Sequence, residues 1–105
     1  MLDYRKSATK SIAMTVGLMR IELFISDANN LKDKRGVMRS VVDNLRRKFN
    51  VSVVEEGNER WQRGVLGVVN ISSNRAKCNS TLNKVIEFIK SDPRVEVIDY
   101  SIELL

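Results

Sequence analysis

Asn30-Leu31-Lys32-Asp33-Lys34-Arg35-Gly36-Val37-Met38-Arg39-Ser40-Val41-Val42-Asp43-Asn44-Leu45-Arg46-Arg47-Lys48-Phe49 is the stretch that decides the fold. Leu31, Met38, Val41, Val42, Leu45 and Phe49 recur at helical spacing, which predicts an amphipathic helix over 31–49 with one apolar stripe. Asn30 is a good N-cap, and Asp33 stands three residues later in a capping-box-like position. Asn50 is expected to close the helix in a left-handed conformation. An apolar stripe on a single helix must be buried against another layer, and the flanking segments supply strands for it.

Before the helix, residues 15–25 alternate: Met19, Ile21, Leu23 and Ile25 share one face, and Leu18, Arg20, Glu22 and Phe24 the other. After it, Val51 to Glu56 is a short β-branched strand, Gly57-Asn58 is a hairpin signal, and Trp61 to Ile71 is a longer strand with Val65, Gly67, Val69 and Ile71 on one face. Ser72-Ser73-Asn74 offers a cap for a second helix over 74–91, whose stripe is Cys78, Leu82, Val85, Ile86 and Ile89. Asp92-Pro93 closes it. In a last strand, Ile98, Tyr100, Ile102 and Leu104 are expected to face in. The order β-α-β-β-α-β with right-handed crossovers predicts an α+β, ferredoxin-like domain: a four-stranded antiparallel sheet with both helices on one face. Leu18, Arg20, Glu22, Phe24, Leu66, Val68 and Asn70 are the expected occupants of the uncovered face.

Composition narrows the function. A chain of 105 residues is one domain, able to bury a modest core without staples. There is no histidine, so the usual general base at neutral pH is absent, and no Ser/His/Asp set is possible. The lone Cys78 forms no internal disulfide, and no Cys/His metal spacing exists. No cofactor or metal site is expected, and no nucleotide-binding glycine loop is present. Acylphosphatase shares this topology but cradles phosphate in a glycine-rich loop after the first strand, and Ser26 to Asn30 contains no glycine. Arg5, Lys6 and Lys10 before the apolar run 12–19 imitate a signal peptide only faintly, since the run is short and Arg20 and Glu22 break the apolar character just beyond it. The expectation is a cytoplasmic protein with no membrane span, a flexible extension over residues 1–13, a domain over 14–105, and Met14 as an alternative start.

The chain resembles the YlxP-like family, a bacterial domain of unknown function. Val16-Gly17-Leu18-Met19-Arg20-Ile21-Glu22-Leu23, Leu31-Lys32-Asp33-Lys34-Arg35, Phe49-Asn50-Val51-Ser52-Val53, Trp61-Gln62, Leu66-Gly67-Val68 and Asp99-Tyr100 carry the resemblance over residues 14–105. It implies a ferredoxin-like fold and a gene neighbourhood rich in translation-initiation and ribosome-maturation factors. It implies no catalytic residues.

The charge pattern adds a pointer. Residues 31–49 hold seven basic side chains against Asp33 and Asp43, a surplus equal to the net charge of +5 of the whole chain. A helix N-terminus carries about half a positive charge and disfavours cations, yet Lys32, Lys34 and Arg35 crowd it. Arg46, Arg47 and Lys48, by contrast, complement the C-terminal end of the dipole. Lys32, Arg35, Arg39 and Arg46 fall along one exposed flank, the footprint of phosphate or nucleic-acid binding. Lys32, Lys34, Arg35, Arg39 and Arg46 are therefore the candidate contacts to RNA or a ribosomal subunit. The alternative is a self-associating scaffold using the sheet face, with Trp61, Phe24 and Leu66 as interface residues. Trp61 with Arg60, Gln62 and Arg63 has the composition of a base clamp, but a tryptophan at a strand end more often packs on its own sheet or a partner subunit. Arg20 and Glu22 are expected in a cross-strand ion-pair network. Glu55, Glu56 and Glu59 form a solvated acidic turn, and Cys78 is a buried small hydrophobe.

Overall fold

The structure, a computed structural model, describes residues 14–105; the expected extension over 1–13 lies outside the described residues. The elements run β1 (Thr15–Phe24), α1 (Leu31–Lys48), β2 (Ser52–Glu56), β3 (Arg63–Ser72), α2 (Arg75–Lys90) and β4 (Glu96–Leu104). The strands form one antiparallel sheet in the order β2-β3-β1-β4. This is the α+β ferredoxin-like arrangement that the periodicities predict.

The capping chemistry of α1 is as its sequence indicates. Asn30 Oδ1 accepts from the Asp33 N–H at 2.8 Å. The return bond of Asp33 lands one residue early, its Oδ2 accepting from the Asn29 N–H at 3.1 Å. The cap and its neighbour thus secure the entry of a helix whose first N–H groups have no partner within it. Asn74 caps α2 in the same way, accepting from Lys77 N–H at 3.0 Å. At the far end of α1 the chain turns out through an extended Phe49, and no described residue, Asn50 included, takes a positive φ. The Phe49 N–H donates to the Leu45 carbonyl at 2.9 Å to close the helix, and the Asn50 carbonyl just beyond it is held by Asn70 Nδ2 at 2.8 Å.

One core lies between the sheet and the two helices. Met19, Ile21, Leu23 and Ile25 meet Met38, Val41 and Leu45 of α1 and Leu82, Val85, Ile86 and Ile89 of α2, all of them buried. Two glycines permit the close approach. A Cβ on Gly17 would stand 2.6 Å from Leu82 Cδ1 and 2.7 Å from Cys78 Sγ; one on Gly64 would stand 2.6 Å from Met38 Cε.

Register corrects the assignment of faces. Leu66 pairs with Ile21, Val68 with Met19 and Asn70 with Gly17, so all three belong to the core face and are buried. Leu66 is therefore a core residue and not an interface residue. Because β3 is apolar on both faces, alternation alone does not choose between them, and pairing with β1 does. The uncovered face carries Leu18, Arg20, Glu22 and Phe24 from β1, Val65, Gly67, Val69 and Ile71 from β3, and Ser52, Val54 and Glu56 from β2. Arg20 ties it together, bonding Glu22 at 3.0 Å and reaching over Gly67 to Glu56 at 3.5 Å. In β4 the register slips: Glu22 faces Asp99 while Leu23 faces Val97, leaving Ile98 as a bulge. Val97 thus packs against the core in place of Ile98, which is exposed; Tyr100, opposite Ile21 on the edge strand, is also exposed. β3 starts at Arg63, so the β2–β3 connection spans 57–62 and Trp61 sits in it rather than on the strand.

The turn after α2 is pinned by Arg94, whose guanidinium bonds Asp92 Oδ2 at 2.7 Å and Ser40 Oγ on α1 at 3.0 Å. These bonds from Arg94 hold the Asp92 carboxyl below its ordinary value near 3.8. A folded-state value below the unfolded one gives stability that is present above pH 3.8 and lost as pH falls through the lower value. Asp92→Asn should therefore lower the midpoint of urea unfolding at pH 7, with the difference from the parent shrinking as pH drops below about 4. Gly17→Ala should overpack the contact between β1 and α2 and cost about 1–3 kcal/mol in the same measurement.

Candidate functional site

The basic side chains of α1 separate by their surroundings. Lys34 points inward and is only 2% exposed. Its Nζ donates to Asn58 O at 3.1 Å and to Asn58 Oδ1 at 2.8 Å. Asn58 Oδ1 also accepts from the Arg60 N–H at 2.9 Å, so one amide oxygen holds both the lysine and the loop. Burial draws the Lys34 ammonium below its usual pKa, with Glu55 opposing the shift and Arg35 adding to it. Lys34 is therefore a structural lysine fastening the β2–β3 loop over the first turn of α1, and not an exposed phosphate contact. No local sequence signal announces its partner, which lies 24 residues away.

Arg35, Arg39 and Arg46 come together. They line one groove between α1 and the edge strand β2, with Val42, Asp43, Val53, Val54 and Glu55 completing it, of about 300 Å³. Arg46 is oriented by its bond to the Val53 carbonyl at 2.8 Å. Lys32 is exposed on the first turn, outside that groove. Among the described residues, no carboxylate lies within 4.0 Å of the charged groups of Lys32, Arg35, Arg39 or Arg46. The last-turn cations have local occupations: Arg47 bonds Asn44, and Lys48 Nζ lies 4.6 Å above the Phe88 ring.

The residues around Trp61 form a second concavity at the other side of the loop. Phe24, Glu59, Arg60, Trp61, Gln62 and Arg63 line a shallow, open depression of about 410 Å³. The Arg63 guanidinium lies 5.8 Å from the Phe24 ring centroid. Trp61 is 51% exposed and is not part of the core. The acidic residues of this region diverge: Glu56 joins Arg20, Glu55 lines the arginine groove and Glu59 the Trp61 cavity. Among the described residues there is no group of three or more side chains able to hold a metal ion. Cys78 is buried, its Sγ 3.5 Å from the Asn70 carbonyl, and burial pushes its thiol up. No described helix is long and apolar enough to cross a membrane.

Comparison with known proteins agrees with the resemblance seen in the sequence. The model of a family described as "Protein of unknown function (DUF503)" matches residues 16–102. The uncharacterized protein YlxP of Bacillus subtilis (strain 168) is 38% identical over 82 residues, covering 77% of this chain and 89% of that protein. The chain belongs to the DUF503 family. Among solved structures, the de novo designed protein Foldit4 superposes with a TM-score of 0.49 at 16% identity, over 88% of this chain and 96% of that one.

The loop anchor is directly testable. Asn58→Ala removes the side-chain oxygen that holds the buried ammonium and should cost about 1–3 kcal/mol, read by urea unfolding. Lys34→Met, which keeps the apolar stem and removes the charge, should cost less than Asn58→Ala.

Proposed function

We propose that this chain is a non-catalytic binding module of the cytoplasm that holds RNA, on the ribosome or its precursors, along the groove between α1 and β2. The observation that carries this reading is the set of exposed cations on one helix, Lys32, Arg35, Arg39 and Arg46, with no carboxylate among the described residues paired to them. Three guanidiniums in one groove match phosphate geometry, each offering a planar fork of donors. Arg46 is pre-oriented in the groove by its bond to the Val53 carbonyl. Such contacts position a backbone and read no sequence, so affinity should fall steeply with salt. The gene neighbourhood implied by the family resemblance points to the same class of partner.

Titration of labelled ribosomal RNA and of 30S particles at two salt concentrations tests the reading. Arg35→Glu/Arg39→Glu should weaken binding by about tenfold or more at low salt and flatten the dependence of log K on log salt by roughly 0.7 for each phosphate no longer neutralised on a single strand. Lys34 is excluded from this variant because its loss would disturb the loop as well. Unchanged affinity in the double variant, with folding intact by circular dichroism, refutes the groove as the site.

A further inference from the structure

We infer that the cavity around Trp61 is a stacking site for one unpaired nucleobase of single-stranded RNA, an inference that rests on the RNA-binding reading above and adds the form of RNA selected. Trp61 stands outside the hydrophobic core. Half its surface is exposed, and it lies in the loop 57–62, beside Phe24 of β1 and Arg63 of β3. An aromatic of this size usually contributes to a core or an interface; Trp61 lies outside the core and keeps half its surface open to solvent.

The loop is nevertheless held firmly. The Ile25 N–H donates to the Gln62 carbonyl at 2.9 Å, the Arg60 N–H to Asn58 Oδ1 at 2.9 Å, and Lys34 fastens Asn58 from below. An exposed ring on an anchored loop costs little ordering entropy when a flat ligand settles on it. The lining is chemically suited to a nucleotide. Trp61 and Phe24 supply aromatic surface, and the Arg63 guanidinium already lies over Phe24. Arg60 is placed to meet a flanking phosphate, while Gln62 Oε1 and the Glu59 carboxylate can accept from the polar edge of a base. The Glu59 carboxylate can accept from the exocyclic amine of a base. A cavity of about 410 Å³ has room for a single base. A base paired in a duplex presents no free face to Trp61, so the site selects single strands.

Trp61 is the chain's one tryptophan, so its emission reports on this cavity alone. The experiment titrates the full chain with a short single-stranded RNA of mixed sequence and with the duplex of the same sequence. The single strand should quench and shift Trp61 emission, and the duplex should bind through the basic groove without doing so. Followed by the anisotropy of labelled RNA, Trp61→Ala should weaken single-strand binding about 5- to 100-fold, with an unchanged salt slope and partial rescue in Trp61→Phe. Binding lost in Arg35→Glu/Arg39→Glu but with no Trp61 quenching and no effect of Trp61→Ala overturns this inference and leaves the groove reading standing. Absence of RNA binding by the parent chain overturns both. A concentration-dependent dimer that dissociates in Trp61→Ala, without quenching by RNA, overturns it in favour of an interface between copies.

Discussion

A buried ammonium at the entry of α1 governs the layout of this molecule. Lys34 stands where a helix dipole already disfavours positive charge, and it is removed from water as well. Two oxygens of Asn58 compensate both costs. The consequence reaches beyond local stability. By drawing the β2–β3 connection against the first turn of α1, the lysine fixes the segment that carries Glu59, Arg60, Trp61 and Gln62. The same bond therefore separates the two concavities of the molecule and sets their relative position, the arginine groove to the α1 side and the aromatic cavity to the sheet side.

That arrangement reapportions the charge anomaly visible in the sequence. Crowded cations at a helix start invite an external anion as explanation. For Lys34 the explanation is internal. At the other end of the helix Arg47 and Lys48 have local partners in Asn44 and Phe88, which orient them without neutralising them. What stays without an ion pair among the described residues is Lys32 at the start and the row Arg35, Arg39 and Arg46 along the β2 side, where Asp43 and Glu55 share the groove. Like charges four residues apart on a helix are mildly unfavourable, and Arg35 and Arg39 are such a pair with no described carboxylate paired to them. The unexplained charge has moved from the tip of the helix to its flank.

Element order, both N-caps and the apolar stripes of the helices were legible because each is a local pattern: a capping residue with its partner three positions on, or hydrophobes at a fixed period. The faces of β3 were not. Leu66 and Val68 alternate with Val65, Gly67 and Val69, and either set would serve a core. Only the pairing of Leu66 with Ile21 assigns it, and pairing is a long-range fact. Asn70 misleads further, since a polar residue in a strand suggests solvent, whereas here its Nδ2 is used inside to hold the Asn50 carbonyl. The bulge at Ile98 defeats alternation in β4 for a related reason, because one extra residue reverses the phase on either side of it. The candidate site was legible as composition and illegible as geometry. Helical spacing brought Arg35, Arg39 and Arg46 onto one flank, but nothing local marked Lys34 as buried or Asn58 as its partner.

The uncovered sheet face invites a binding role by analogy with domains that read RNA on a similar sheet, and its corrected membership weighs against that. Its middle is occupied by Arg20, Glu22 and Glu56, with Arg20 bonding both carboxylates. A base laid on that surface would have to displace an ion-pair network, and Val65, Gly67, Val69 and Ile71 of β3 present no aromatic ring to stack on. Phe24 and Trp61 instead lie at one end of the face, where β1 meets the anchored loop. The exposed cations of this molecule therefore lie at the α1 flank and the chain's one indole at the loop end, with the Lys34–Asn58 bond joining loop to helix between them.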